Sequence, residues 1–239
     1  METDYNLHKS NSTYFSDMDI SRTHLFTCLI RNGIKKNSRL YGKKRELDAL
    51  GATEGTRGKH MIALGGVMCL FKREIKPYHK YEMWTRLLCW DRKWFYFVTH
   101  FVKPGVAKPK SFTLQPWRKG KKVEGQLVDS EMLGKAVYAS ALAKYVVKKG
   151  RMTVPPEQVL FDADMVSAKP EGWVYEEDMD ANVDGRSGVG EEEWNWDIIE
   201  KERRRGVKFA ESFAAMDGLH EVFDGGDGGA MGEFADLLF

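Results

Sequence analysis

Between Ser12 and Gly33, the residues Phe15, Met18, Arg22, Leu25, Phe26, Leu29 and Ile30 recur at three- and four-residue spacing, which predicts one long helix with a single face turned inward. Ser10, Asn11 or Ser12 is placed to cap it, and Gly33 is read as its stop. Four later runs have strand length and are rich in aromatic, aliphatic and β-branched residues: Met61 to Phe71, Tyr81 to Trp90, Trp94 to Val102 and Val137 to Val147. The stretch Tyr81 to Leu87 partly alternates, as a strand covered on one face does. One long helix followed by antiparallel strands is an α+β pattern.

The pattern changes past Arg151. Pro155-Pro156 marks a boundary, because neither proline can donate to a strand ladder and the first is held extended by the second. Residues 161–193 read as an acidic linker with little apolar content, and residues 194–239 as a C-terminal helix with a Gly-rich tail. That helix, about Glu192 to Met216, offers Ile198, Ile199, Phe209, Ala210, Phe213 and Ala214 as an inner face, with Arg203, Arg204 and Arg205 mostly outside and Gly218 as its end. It either docks on the preceding domain or serves as a free arm for another protein. Docking is the expectation, since an apolar face needs covering.

Candidate chemistry concentrates at the start of the chain. Asp4, His8, Asn11, Tyr14, Asp19 and Arg22 mark a polar loop running into the long helix. A carboxylate ahead of a helix N-terminus is placed to attack, or to activate water against, a carbonyl held by the helix's free amides. The spacing Asp-x-x-x-His-x-x-Asn-x-x-Tyr-x-x-x-x-Asp-x-x-Arg from Asp4 to Arg22 resembles the opening motif of hotdog-fold thioesterases in the 4-hydroxybenzoyl-CoA thioesterase-like branch. The stretches His8 to Asp17 and Trp84 to Asp91 resemble, more closely, a fungal thioesterase-like family and its mammalian thioesterase-superfamily relatives.

The resemblance covers roughly residues 4–160 and implies a hotdog domain at 1–160, an antiparallel sheet wrapped around the helix, with two protomers pairing as a homodimer. It places Asp4 at the family's catalytic carboxylate, as nucleophile or general base, and Asn11 where a backbone N–H binds the thioester carbonyl. His8 then orients substrate or Asp4, or is structural; Ser12, at the helix start, is a substrate-binding candidate with Asn11; Tyr14 is core or acyl-pocket wall; Asp17 is a second carboxylate at the substrate or merely favours the helix dipole. Asp19 and Arg22 can pair on the helix, worth only a few tenths of a kcal/mol if exposed. Hotdog domains carry a strand before this loop. Only Met1, Glu2 and Thr3 precede Asp4, so the fold is expected to lack that first strand: either the true start lies upstream, or this member has lost the strand and with it some or all activity.

The implied reaction is hydrolysis of a thioester joining a fatty or polyketide-type acyl group to coenzyme A or to a carrier protein's phosphopantetheine. It needs no metal or other cofactor. The alternatives are a non-catalytic acyl-binding or interaction protein, and a hotdog protein recruited to a biosynthetic pathway for dehydration, cyclisation or product release. Charge refines the partner. Residues 1–160 hold 30 Lys and Arg against 14 Asp and Glu, whereas 161–239 hold 7 against 21, so a net charge of +2 hides a basic half suited to coenzyme A phosphates or an acidic carrier. The loops Lys35 to Lys59 and Val102 to Glu131 carry much of it, without the reader motif or aromatic interleaving of a nucleic-acid binder. Cys28, Cys69 and Cys89 lie in apolar runs without metal-ligand spacing and read as thiols of a reducing, cytoplasmic compartment. No run approaches the ~20 apolar residues of a membrane span, although an anchor upstream of this chain would place the protein at a membrane.

Overall fold

The computed structural model describes residues 2–42, 60–106, 134–173 and 195–222. Helix α1 (Asn11–Gly42) is followed by β1 (His60–Phe71), β2 (Glu82–Trp90), β3 (Phe95–Val102), β4 (Val137–Lys149) and the short β5 (Met152–Val154). The strands form one antiparallel sheet in the order β1-β4-β3-β2, with β5 beside β4. Among the described residues no strand precedes α1; an isolated bridge joins Thr3 to Lys9.

Strand alternation assigns the two faces of the sheet. Tyr14, Met18, Phe26 and Ile30, on one stripe of α1, are buried against Phe95, Phe97, Phe101, Ala139, Ala141, Ala143, Tyr145 and Val147. Arg22 lies on the same stripe. It is 1% exposed and stacks 5.7 Å from the Tyr145 ring, with Nη2 bonded to Asp19 and no partner at Nε or Nη1 among the described residues. The pair is therefore half-buried rather than a surface pair.

Gly33 does not stop α1. A Cβ there would sit 3.1 Å from backbone atoms of Asp162 and Ala163, so the residue's smallness admits helix α2 (Pro156–Asp162), and α1 runs on to Gly42. Pro156 is a buried first-turn residue of α2, where its missing N–H costs nothing.

Helix α3 (Trp196–Ala214), capped by Asn195 Oδ1 on the Ile198 amide at 3.0 Å, docks on the outer face of the sheet. Ala210 and Phe213 pack with Cys89, Tyr96 and Leu142. Two expected assignments change: Phe209 is 54% exposed, and Arg203 turns inward, donating to Trp90 O at 2.8 Å and to both oxygens of buried Glu200. Burial alone would raise the Glu200 pKa, but hydrogen bonds from Arg203 and Arg204 outweigh it and hold the carboxyl below its usual range. Gly218 falls within a 3₁₀ continuation, Ala215–Val222, whose Asp217 meets buried Lys144 at 2.5 Å. Most of the acidic linker, the Gly-rich tail from Phe223 and most of both basic loops lie outside the described residues.

At Gly206, α3 comes close to the backbone of β2. A Cβ there would lie 2.8 Å from the Leu88 carbonyl oxygen and 2.9 Å from Cys89 Cβ. Gly206→Ala is expected to destabilise by about 1–3 kcal/mol, because a strand backbone cannot yield and the clash outweighs the ~1 kcal/mol gain in helix propensity. Urea unfolding checks this; a variant as stable as the parent would mean α3 does not sit there.

Candidate active site

Glu2 to Ser10 form a compact loop. Asp4 N donates to His8 O and Leu7 N to Asp4 O, both at 3.0 Å, with Leu7 in the left-handed region at φ 59°. Asp4 Oδ1 accepts the Asn6 amide at 2.9 Å, and Oδ2 lies 3.2 Å from His8 Nδ1. Both side chains are partly open to solvent, at 21% and 25%. Ser10 N donates to Glu2 O at 3.0 Å, which lays the stretch before Asp4 against the start of α1.

Asn11 and Ser12 open α1 and are exposed, and the first amides of a helix have no intrahelical acceptor. Ser12 Oγ lies 2.8 Å from Ser10 Oγ. Tyr14 is buried edge-on against Phe71 and Phe101, and burial pushes its pKa up to about 12, which suits a wall rather than a proton donor. Asp17 Oδ2 is engaged by Lys9 Nζ at 2.6 Å and by the Tyr81 hydroxyl at 2.5 Å. Burial, with that hydrogen bond, raises the Tyr81 pKa, so the hydroxyl stays the donor. The structure thus brings Asp4 and His8 together, sets Asn11 and Ser12 at a helix start, and ties Asp17 to Lys9, whose part the sequence did not reveal.

A cavity of about 390 Å³ lies elsewhere, over the outer face, with Trp84, Arg86, His100 and Val102 in its lining. His100 Nδ1 is 2.9 Å from Ser140 Oγ, an arrangement fixed by the β3–β4 register. Burial first, and then the Arg86 charge, lower the His100 pKa; burial likewise lowers that of His60. The folded chain therefore takes up these protons less readily than the unfolded chain. Their stabilisation is complete above about 6.5 and is lost as pH falls below it. Unfolding free energy is expected to drop between pH 7.5 and 5.5, and to drop less in His100→Asn; equal slopes in parent and variant would contradict this.

Among the described residues, no group of three or more His, Cys, Asp or Glu could hold a metal ion, and no helix is long and apolar enough to cross a membrane. The three cysteines are free thiols, with burial raising Cys69 to about 11 and Cys89 to about 12.

One long helix packed on a face of an antiparallel sheet, with a carboxylate loop at the helix start, is the hotdog arrangement. The chain belongs to the thioesterase-like superfamily, which its residues 1–157 match. It is 36% identical over 239 residues to the probable thioesterase atnL of Emericella nidulans, covering 99% of this chain and 72% of that protein. It is 39% identical over 224 residues to the thioesterase poxG of Penicillium oxalicum, covering 93% of this chain and 66% of that one. The chain thus spans about two thirds to three quarters of the length of these relatives. Among solved structures, YbaW, a probable thioesterase from Escherichia coli, aligns at a TM-score of 0.39 and 12% identity, over 68% of this chain and 87% of that one.

Proposed function

We propose that this chain hydrolyses an acyl thioester carried on coenzyme A or on the phosphopantetheine of an acyl-carrier protein, the acyl group being of fatty or polyketide type. The observation that carries the reading is the Asp4 carboxylate, held with His8 in a partly open loop that runs into the start of α1 at the exposed residues Asn11 and Ser12. In this reading the carbonyl oxygen rests on the Asn11 or Ser12 amide, where the helix terminus stabilises its growing negative charge. Asp4, oriented by His8, either attacks the carbonyl carbon to give a mixed anhydride that water then cleaves, or takes a proton from a water that itself adds to that carbon; the proton passes to the departing thiolate. The thiol leaves and the acid is released. No metal is required.

A homodimer fits the same frame. Strand β1 is a 12-residue edge among the described residues and exposes Met61, Ile62, Leu64, Leu70 and Phe71, an apolar edge that a second copy would cover. Phe71 packs on Tyr14 at 5.0 Å, so that interface would adjoin the beginning of α1. The free thiols suit the cytoplasm. The test is thiol release from acyl-CoAs graded from short to long and from aliphatic to aromatic, with acyl-carrier protein in parallel. Saturable turnover supports the hydrolase; saturable binding without turnover supports the acyl-binding alternative.

A further inference from the structure

The Tyr5 and Leu7 side chains, 93% and 72% exposed, do not anchor the loop that holds Asp4 and His8. Its anchor is Lys9, 1% exposed one residue beyond His8. An ammonium buried so deeply is tolerated only when paired. Lys9 Nζ lies 2.6 Å from Asp17 Oδ2 and 5.1 Å from the ring centroids of both Tyr14 and Tyr81. The Tyr81 hydroxyl donates to the same Asp17 oxygen, and the Lys9 amide donates to the carbonyl of buried Ile75 at 2.8 Å. One residue therefore fastens the loop to α1, through Asp17 and Tyr14, and to the segment between β1 and β2, through Ile75 and Tyr81.

We propose that Lys9, Asp17 and Tyr81 are positioning residues for thioester hydrolysis, a buried clamp that sets the Asp4–His8 loop against the first turn of α1. The inference rests on the hydrolase reading and deepens it. Lys9 does not touch substrate, since its Nζ is taken by Asp17 and covered by two rings; it acts through the aim of Asp4. In this arrangement Asp17 is a tether rather than a second acid. Charge, reach and the shared oxygen all matter, because the geometry of Asp4 relative to a bound carbonyl must hold to a fraction of an ångström for efficient attack.

Lys9→Met keeps the stem between the rings and removes the charge, while Tyr81→Phe removes a single hydroxyl. With an acyl-CoA that the parent turns over, Lys9→Met is expected to lower kcat at least tenfold with KM within about twofold, and Lys9→Arg to recover part of the loss. Tyr81→Phe should cost less, and the double variant less than the product of the two, since both act through Asp17. Hydrogen exchange at amides 4–9 should accelerate in Lys9→Met relative to those of β3. Unchanged kcat with only a lower Tm would overturn the clamp, as would unaltered exchange at amides 4–9. Should Lys9→Met fail to fold, Tyr81→Phe and Asp17→Asn decide: full kcat in both refutes the proposal. A parent without turnover defeats the hydrolase reading, and the exchange measurement still judges whether the clamp holds the loop.

Discussion

Asp4→Asn is expected to lower kcat for thioester hydrolysis by roughly 10²–10⁴-fold, the usual worth of a positioned general base or nucleophile and equal to about 3–5 kcal/mol of barrier. The substitution isolates the charge. Asn keeps an oxygen that can accept the Asn6 amide, so the turn from Asp4 to Leu7 survives and Tm should stay within a few degrees. Asp4→Ala loses both the turn bond and the carboxylate, and should show the kinetic loss with some destabilisation. Activity retained in both variants would remove Asp4 from the mechanism. The two chemical routes separate by rapid-quench mass spectrometry: acyl mass on the peptide containing Asp4 marks nucleophilic attack, whereas its absence in an enzyme that still depends on Asp4 marks activation of water. Truncating His8 to Ala should cost less than Asp4→Asn, since it leaves the carboxylate in place and its Oδ1 still bonded to the Asn6 amide.

The strands and the helix start were legible because each rests on short-range rules: β-branched and aromatic runs between turn residues, and an apolar stripe at helical period. What escaped depended on contacts between distant segments. Gly33 carries the local signature of a helix stop, but its smallness serves the approach of α2, more than a hundred residues away. Pro155-Pro156 reads as a break, yet the second proline begins a helix because an absent N–H is harmless in the first turn. Arg22 falls on the apolar repeat of α1, and that placement was the available sign that a charged residue lies in the core. Lys9 offered no such sign. Nothing within the loop announces that Asp17 and Tyr81 will meet at its ammonium, and the His100–Ser140 pair likewise appears only once β3 and β4 are in register. The candidate catalytic loop was visible in sequence, while the means of holding it still was not.

Phe26→Ala should be the most destabilising single truncation in α1, at about 3–5 kcal/mol. Phe26 is 1% exposed and meets Phe95, Phe97 and Tyr145 at centroid distances of 5.1, 5.0 and 5.6 Å, so one ring joins the helix to two adjacent central strands. Its partners are themselves buried and hemmed in by β-sheet backbone, which limits how far the site can collapse around a missing ring. For a chain of this size the loss corresponds to a fall in Tm of roughly 10 °C, a large share of a typical folding stability of about 5–15 kcal/mol. Phe26→Leu retains most of the volume and should cost less than half as much. The pair also tests how firmly the loop depends on the helix beneath it. Because Phe26 lies about four turns from the amides at Asn11, Phe26→Leu should leave kcat close to the parent value while lowering Tm. A parallel drop in both would mean that the position of the whole helix against the sheet, rather than the Lys9 contacts at its first turn, sets the aim of Asp4.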